Sequence, residues 1–239
     1  MINKEIINND KFSVIIPCYN EEKNINKLVT DIQIALKKYK YDIHIVDDCS
    51  TDNLEKKVFE LKKKYKNINY IRNNSNLGQS YSIMRGIKNS RNSHIVTIDG
   101  DYQNDPFDLP SIIEIYFDNK NFELVGGIRK KRKDSLVKII SSKIANYIRR
   151  KILHDNCLDT GCSLKIFNKN IFLQFPFFDG IHRFLPALYL GFGKQTFFIN
   201  VNHFPRLYGL SKYGTFLRLI RGIRDIIKVR KIINEFKND

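Results

Sequence analysis

Asp99-Gly100-Asp101-Tyr102-Gln103 sets two carboxylates one residue apart, with a side-chain amide two residues further on. Carboxylate and amide oxygens are hard ligands, and a short set of them suits Mg²⁺ or Mn²⁺, which keeps further positions for phosphate oxygens. The same triplet would also serve as a solvated Asp-Gly turn. Two other polar clusters share its setting just past an apolar run: Cys18-Tyr19-Asn20-Glu21-Glu22 and Asp47-Asp48-Cys49-Ser50-Thr51-Asp52. A run of cations, Arg129-Lys130-Lys131-Arg132-Lys133, offers charge to an anionic group, or forms a solvated loop.

The elements that would carry these groups alternate. Phe12 to Ile16 reads as a strand closed by Pro17, which cannot continue a sheet interior. A helix follows, with Ile25, Leu28, Val29, Ile32 and Leu36 at helical spacing, then a strand from Tyr41 to Val46. Ser50 or Thr51 is placed to cap the next helix, on which Leu54, Val58 and Leu61 recur. Ile68 to Ile71 is a third strand. A helix through Ile83, Met84 and Ile87 leads to Ile95 to Ile98, and Pro106 starts the following helix. Strand and helix in strict alternation predict an α/β protein with a parallel sheet flanked by helices. The aspartates then stand at carboxyl ends of strands, where open α/β sheets bind ligands.

Beyond Tyr116 the pattern loosens. A strand from Phe122 to Val125 precedes the basic run. A helix from about Ser135 to Leu153 carries Lys138, Ser142, Ala145 and Arg149 on one polar stripe. Ser163 to Phe167 reads as a strand, 177–190 includes a helix, and Gln195 to Val201 is a further strand. Apolar residues interleaved with Lys and Arg from Ser211 to Asp239 predict a basic amphipathic helix, suited to a membrane surface or to packing on the domain. With no internal repeat, residues 1–210 are expected to form one domain and 211–239 the helix.

Forty-one basic against 25 acidic residues give a net charge of +16, which favours polyanionic partners. No helix-turn-helix, zinc-finger or RNA-recognition pattern accompanies the charge, so nucleic acid is not expected. The four cysteines lack metal-site spacing and are expected to be reduced thiols of a cytosolic protein. The polar N-terminus does not read as a signal peptide, and no run reaches the ~18 apolar residues of a membrane span.

Taken in order, Ile16-Pro17-Cys18-Tyr19-Asn20-Glu21-Glu22, Val46 to Asp52, Asn76-Leu77-Gly78, Asp99 to Gln103 with Asp105-Pro106, Asp159-Thr160-Gly161-Cys162, His182 to Pro186 and Pro205-Arg206-x-x-Gly209-x-Ser211-Lys212-Tyr213 resemble the family 2 glycosyltransferases, and within them the dolichyl- and polyprenyl-phosphate sugar synthases. The resemblance implies a GT-A fold, with a Rossmann-like, mostly parallel sheet. It implies a nucleotide-sugar-binding half over 12–120 and an acceptor-binding half over 121–210. Pro17, Tyr19, Asn20, Glu21, Asp48, Asp99 and Gly100 match nucleotide-contacting positions, and Asp99, Asp101 and Gln103 match ligands of a divalent metal. Arg129, Lys138 and Ser142 match a site for the acceptor phosphate. Lys138 stands where relatives carry Arg, and a lysine cannot form the bidentate fork. Asp159, His182, Arg183, Ser211 and Lys212 match positions near the sugar or diphosphate, and Arg206 is a cation that would assist departure of the diphosphate. The implied reaction is an inverting transfer of a sugar to a polyprenyl phosphate, by an enzyme peripheral to the cytoplasmic face of the membrane. A glycan or lipopolysaccharide hydroxyl acceptor is the alternative, and a non-catalytic polyanion binder a more distant one. Sugar, nucleotide base and oligomeric state are not legible.

Overall fold

The structure is a computed structural model that describes residues 11–130, 146–205 and 215–238, with side chains of the last segment over 222–237. Its first half is the expected alternation. Strands β1 (Lys11–Cys18), β2 (Lys40–Asp47), β3 (Ile68–Arg72) and β4 (His94–Thr97) are joined by helices α1 (Glu22–Ala35), α2 (Leu54–Lys64) and α3 (Gln79–Asn89). A 3-10 turn at Pro106–Asp108 opens α4 (Leu109–Asp118), and β5 (Phe122–Arg129) follows. Then come helix α5 over 146–153, β6 (Lys165–Asn168), the single turn α6 (Lys169–Phe172), α7 (Ile181–Gly191), β7 (Gln195–Val201) and α8 (Thr215–Asn238).

The strands make one sheet in the order β3-β2-β1-β4-β6-β5-β7. β1 pairs in parallel with β2 and β4, β2 with β3, and β5 with β7, while β6 runs antiparallel to both β4 and β5. Adjacent residues of β1 face opposite layers, as the strand period requires. Val14 and Ile16 pack with Ile25, Leu28 and Ile32 of α1, whereas Ile15 packs with Ile83, Met84 and Ile87 of α3. All three strand residues are inaccessible to solvent, the pattern of a parallel strand covered on both faces. The second layer continues through α7 and α8, where Ile226, Val229, Ile232 and Ile233 are buried.

Four local expectations are corrected. β1 continues through Pro17, which pairs with Val46; the ladder to β4 ends at Ile15 and Thr97, so no donor on that side is missed. β5 extends to Arg129 because its parallel pairing with β7 runs to Val201, which makes Arg129 a strand residue and not the start of a loop. Neither Ser50 nor Thr51 caps α2. Asp52 accepts from the Leu54 amide at 3.1 Å, while Ser50 Oγ accepts from the Asn20 amide at 2.9 Å. Arg149 of α5, expected on a polar stripe, is buried, paired with Asp155 at 2.9 Å and donating to the Cys157 carbonyl, so its end of that stripe turns into the protein.

Candidate active site

A cleft of about 640 Å³ opens at the carboxyl ends of β1, β2 and β4. Pro17, Tyr19, Glu21, Asp48, Asp99, Gly100, Asp101, His182 and Arg183 all line it, although they come from segments far apart in sequence. Thr160, Gly161 and Lys165 line it as well.

The Asp99–Gln103 loop is fixed from several sides. A Cβ on Gly100 would lie 2.8 Å from Cys18 Sγ and 3.1 Å from the Pro17 carbonyl, so only glycine lets this backbone lie against the end of β1. Tyr102 takes a left-handed φ of 58°, costly for a residue with a Cβ. Its hydroxyl donates to Asp31 at 2.5 Å, its ring stacks on Phe204 with centroids 6.0 Å apart, and Lys27 Nζ sits 4.8 Å over that ring. The Asp99 amide donates to Ser163 Oγ at 3.1 Å, and Ser163 donates on to Asn104 at 2.8 Å. Gln79 Nε2 donates to Asp99 Oδ1 at 2.7 Å. Burial, helped by the charge of Asp101, pushes the Asp99 carboxyl up to about 6. A buried carboxyl raised in part by a neighbouring carboxylate, in a cleft, fits a divalent cation, which would relieve the repulsion. Gln103 lies apart from the cleft lining, with its amide nitrogen 3.4 Å from the Phe204 carbonyl. Among the described residues no cluster of three or more His, Cys, Asp or Glu is set to hold a metal. The Asp99 and Asp101 carboxylates line the cleft and would suit such a cation with oxygens from outside the chain, and the Gln103 amide oxygen expected beside them is not among the lining groups.

On the β1–β2 side the predicted residues divide. Asp48 lines the cleft, but its oxygens accept from the amides of Leu77 at 2.9 Å and Gly78 at 2.8 Å and from Asn73 Nδ2 at 2.7 Å. It thereby shapes the loop that starts α3. Glu21 accepts from Asn24 at 2.7 Å and faces the cleft. Asn20 is not in the lining. At φ 58° it accepts from the Thr51 amide at 2.7 Å, tying the first cluster to the second.

Behind Gly161, and not themselves in the cleft lining, Arg129 and Asp159 form a bidentate pair, Nε to Oδ2 at 2.6 Å and Nη2 to Oδ1 at 2.7 Å. That fork uses one edge of the guanidinium and leaves the Nη1 donors for another acceptor. His182 Nδ1 lies 2.6 Å from Ser80 Oγ, which also accepts from the Gly180 amide at 2.7 Å. Burial, with the positive charges of Arg183 and Lys165, holds His182 well below the ordinary histidine range, so the ring is neutral. Arg183 reaches Asp225 of α8 at 3.4 Å. Lys138, Ser142, Arg206, Ser211 and Lys212 lie outside the described residues.

Sequence reasoning passed over Gln79, Ser80 and Lys165. Gln79 follows the glycine that opens a helix, and Lys165 is a lone cation within an apolar strand, both visible signals. The partnership of Ser80 with His182 spans 102 residues and leaves no local trace.

Residues 13–175 match the profile of Glycosyl transferase family 2. The chain belongs to the family 2 glycosyltransferases. Among its relatives in this family, the dodecaprenyl-phosphate galacturonate synthase of Rhizobium johnstonii is 34% identical over 92% of this chain. An undecaprenyl-phosphate 4-deoxy-4-formamido-L-arabinose transferase of Pectobacterium atrosepticum is 32% identical over 90% of it. The chain spans 66% of the length of each of these two relatives. A crystal structure of glucosyl-3-phosphoglycerate synthase from Mycobacterium tuberculosis in complex with uridine diphosphate superposes with a TM-score of 0.71 at 15% identity, covering 94% of this chain and 81% of that one. A complex of the same synthase with Mn²⁺, uridine diphosphate and glucosyl-3-phosphoglycerate gives 0.67 at 15% identity, covering 92% and 78%. The family 2 transferase described here thus has the GT-A fold its motifs imply. Among the described residues no helix is long and apolar enough to cross a membrane.

Proposed function

We propose that this family 2 glycosyltransferase moves a sugar from a nucleotide-sugar donor to a polyprenyl phosphate, with inversion, at the cytoplasmic face of a membrane it contacts peripherally. The observation that carries the reading is the 34% identity, over 92% of the chain, to a synthase named for a polyprenyl-phosphate product. The geometry supports it. Residues 12–120 supply the donor wall, where Pro17, Tyr19, Glu21 and Asp48 face the cleft. Residues 121–210 supply the acceptor wall, with the Arg129–Asp159 pair beside Gly161.

Asp99 and Asp101 would hold Mg²⁺ or Mn²⁺, which when bound supplies Lewis-acid stabilisation of the departing nucleoside diphosphate. A phosphate monoester with a second pKa of ~6 is largely dianionic near neutral pH. Its oxygen can attack the anomeric carbon as the bond to the diphosphate breaks, with no strong general base required. The chain's task is to align the two phosphorylated substrates and offset their repulsion. The Nη1 edge of Arg129 is suited to that work, because Asp159 fixes its plane.

The test incubates purified protein with Mn²⁺, a panel of nucleotide sugars and undecaprenyl phosphate, and measures lipid-linked sugar. Product is expected with one donor. Arg129→Ala is expected to lower kcat/KM by roughly ten- to a hundredfold, the worth of a charge-assisted bond. Sugar transfer to a hydroxyl acceptor, unaffected by Arg129→Ala, would replace this reading with the alternative one.

A further inference from the structure

Lys165 opens β6, in register with Thr97 of β4 and Gly126 of β5. A charged residue in the middle of a sheet is uncommon, because burying an ammonium costs stability unless an anion offsets it. Lys165 is 3% exposed and lines the cleft. Its Nζ donates to the Cys162 carbonyl, a neutral acceptor, and that occupies one of three donors. Among the described residues no carboxylate forms an ion pair with it, whereas Arg129 is paired with Asp159 and Arg183 with Asp225. The cleft wall therefore holds a buried cation that makes no ion pair among the described residues and acts on the Asp99 carboxyl only through space, in a site that already suits phosphorylated ligands.

We propose that Lys165 is a phosphate-binding residue of this cleft, its ammonium donating to an anionic oxygen of a substrate phosphate. The inference rests on the proposed function, which brings two such groups to the site: the diphosphate of the donor and the phosphate of the acceptor. Either would supply the negative charge that the ammonium lacks, and removal of the charge weakens whichever ligand it holds. The cost of the buried cation in the free protein is the counterpart of its use in the complex.

Titration calorimetry on the whole protein tests this, with uridine and guanosine diphosphate plus Mn²⁺ as one arm and farnesyl phosphate as the other. Wild type, Lys165→Met and Lys165→Arg are compared. Lys165→Met is expected to weaken one arm by roughly ten- to a hundredfold, the range of charge-assisted hydrogen bonds. Lys165→Arg is expected to retain most of the affinity. A loss confined to the nucleotide arm assigns Lys165 to the donor diphosphate, and one confined to farnesyl phosphate assigns it to the acceptor. Met fills the space of the lysine stem without its charge, so the variant is expected to unfold no lower in temperature than wild type; should it fail to fold, Lys165→Gln takes its place. Both ligands binding the uncharged variant as tightly as wild type would overturn the inference and leave the proposed function standing. Wild type binding neither would remove both.

Discussion

His182 illustrates what a single side chain in the cleft wall does to the whole. Its neutral ring accepts from or donates to Ser80, and the neighbouring cations Arg183 and Lys165 oppose its protonation. In the unfolded chain the same imidazole titrates near its ordinary value of about 6.5. Below that pH the unfolded chain takes up a proton that the folded one refuses, so stability falls, by at most about 1.4 kcal/mol per pH unit from this group. His182→Gln is expected to lose less stability than wild type between pH 7 and pH 5, as read from urea midpoints at each pH. Parallel curves for the two proteins would mean that the ring is protonated in the fold as well. Asp99 poses the opposite electrostatic problem at the same scale: burial and the charge of Asp101 raise its proton affinity, and a bound cation would answer it.

Among the elements, α7 and α8 meet more closely than side chains would ordinarily allow. A Cβ on Gly191 would fall 2.5 to 2.9 Å from three atoms of Ile233. Ile233 is β-branched and buried, with little rotamer freedom to yield. Gly191→Ala is therefore expected to destabilise the protein by roughly 1–3 kcal/mol, the usual cost of overpacking, even though alanine is the better helix former. Thermal unfolding checks it, and Ile233→Ala in the same chain should recover part of the loss by making room. A Gly191→Ala protein as stable as wild type would mean that α8 can shift outward freely. The contact bears on the site, because Asp225 of that helix is the partner of Arg183 in the cleft.

For the molecule as a whole, the net charge of +16 and the outer face of α8 set the expected behaviour at a surface. One face of the helix packs inward through Ile226, Val229 and Ile233. The other leaves Ile223 at 51% and Ile227 at 63% exposed, beside the exposed cations Arg224, Lys228 and Lys231. An apolar ridge flanked by cations suits an anionic bilayer, each basic residue near the surface adding ~1 kcal/mol. Flotation with vesicles rich in phosphatidylglycerol should carry the protein, with less carried at high salt. The double variant Ile223→Asp, Ile227→Asp should weaken binding at least roughly tenfold, from the apolar burial forgone. Equal flotation of the variant would move the contact to another face.

Much of this was legible before any coordinates. Strand and helix periodicities in 12–116 reflect burial on one or two faces, a local property that repeats every two or 3.6 residues, and they placed Asp99, Asp101, Glu21 and Asp48 at strand ends. The sequence by itself determined the α/β layering, the family and the carboxylates of the cleft. It left open which charges are already spent. Arg129 reads as a free cation in a basic run until β5 carries it against Asp159, 30 residues away. Arg149 reads as part of a polar stripe until burial pairs it with Asp155. Lys165 reads as a strand residue until the sheet buries it in the cleft wall with no ion-pair partner among the described residues. The energy of a charge depends on its burial and its partners, and both are properties of chain closure that no local pattern encodes.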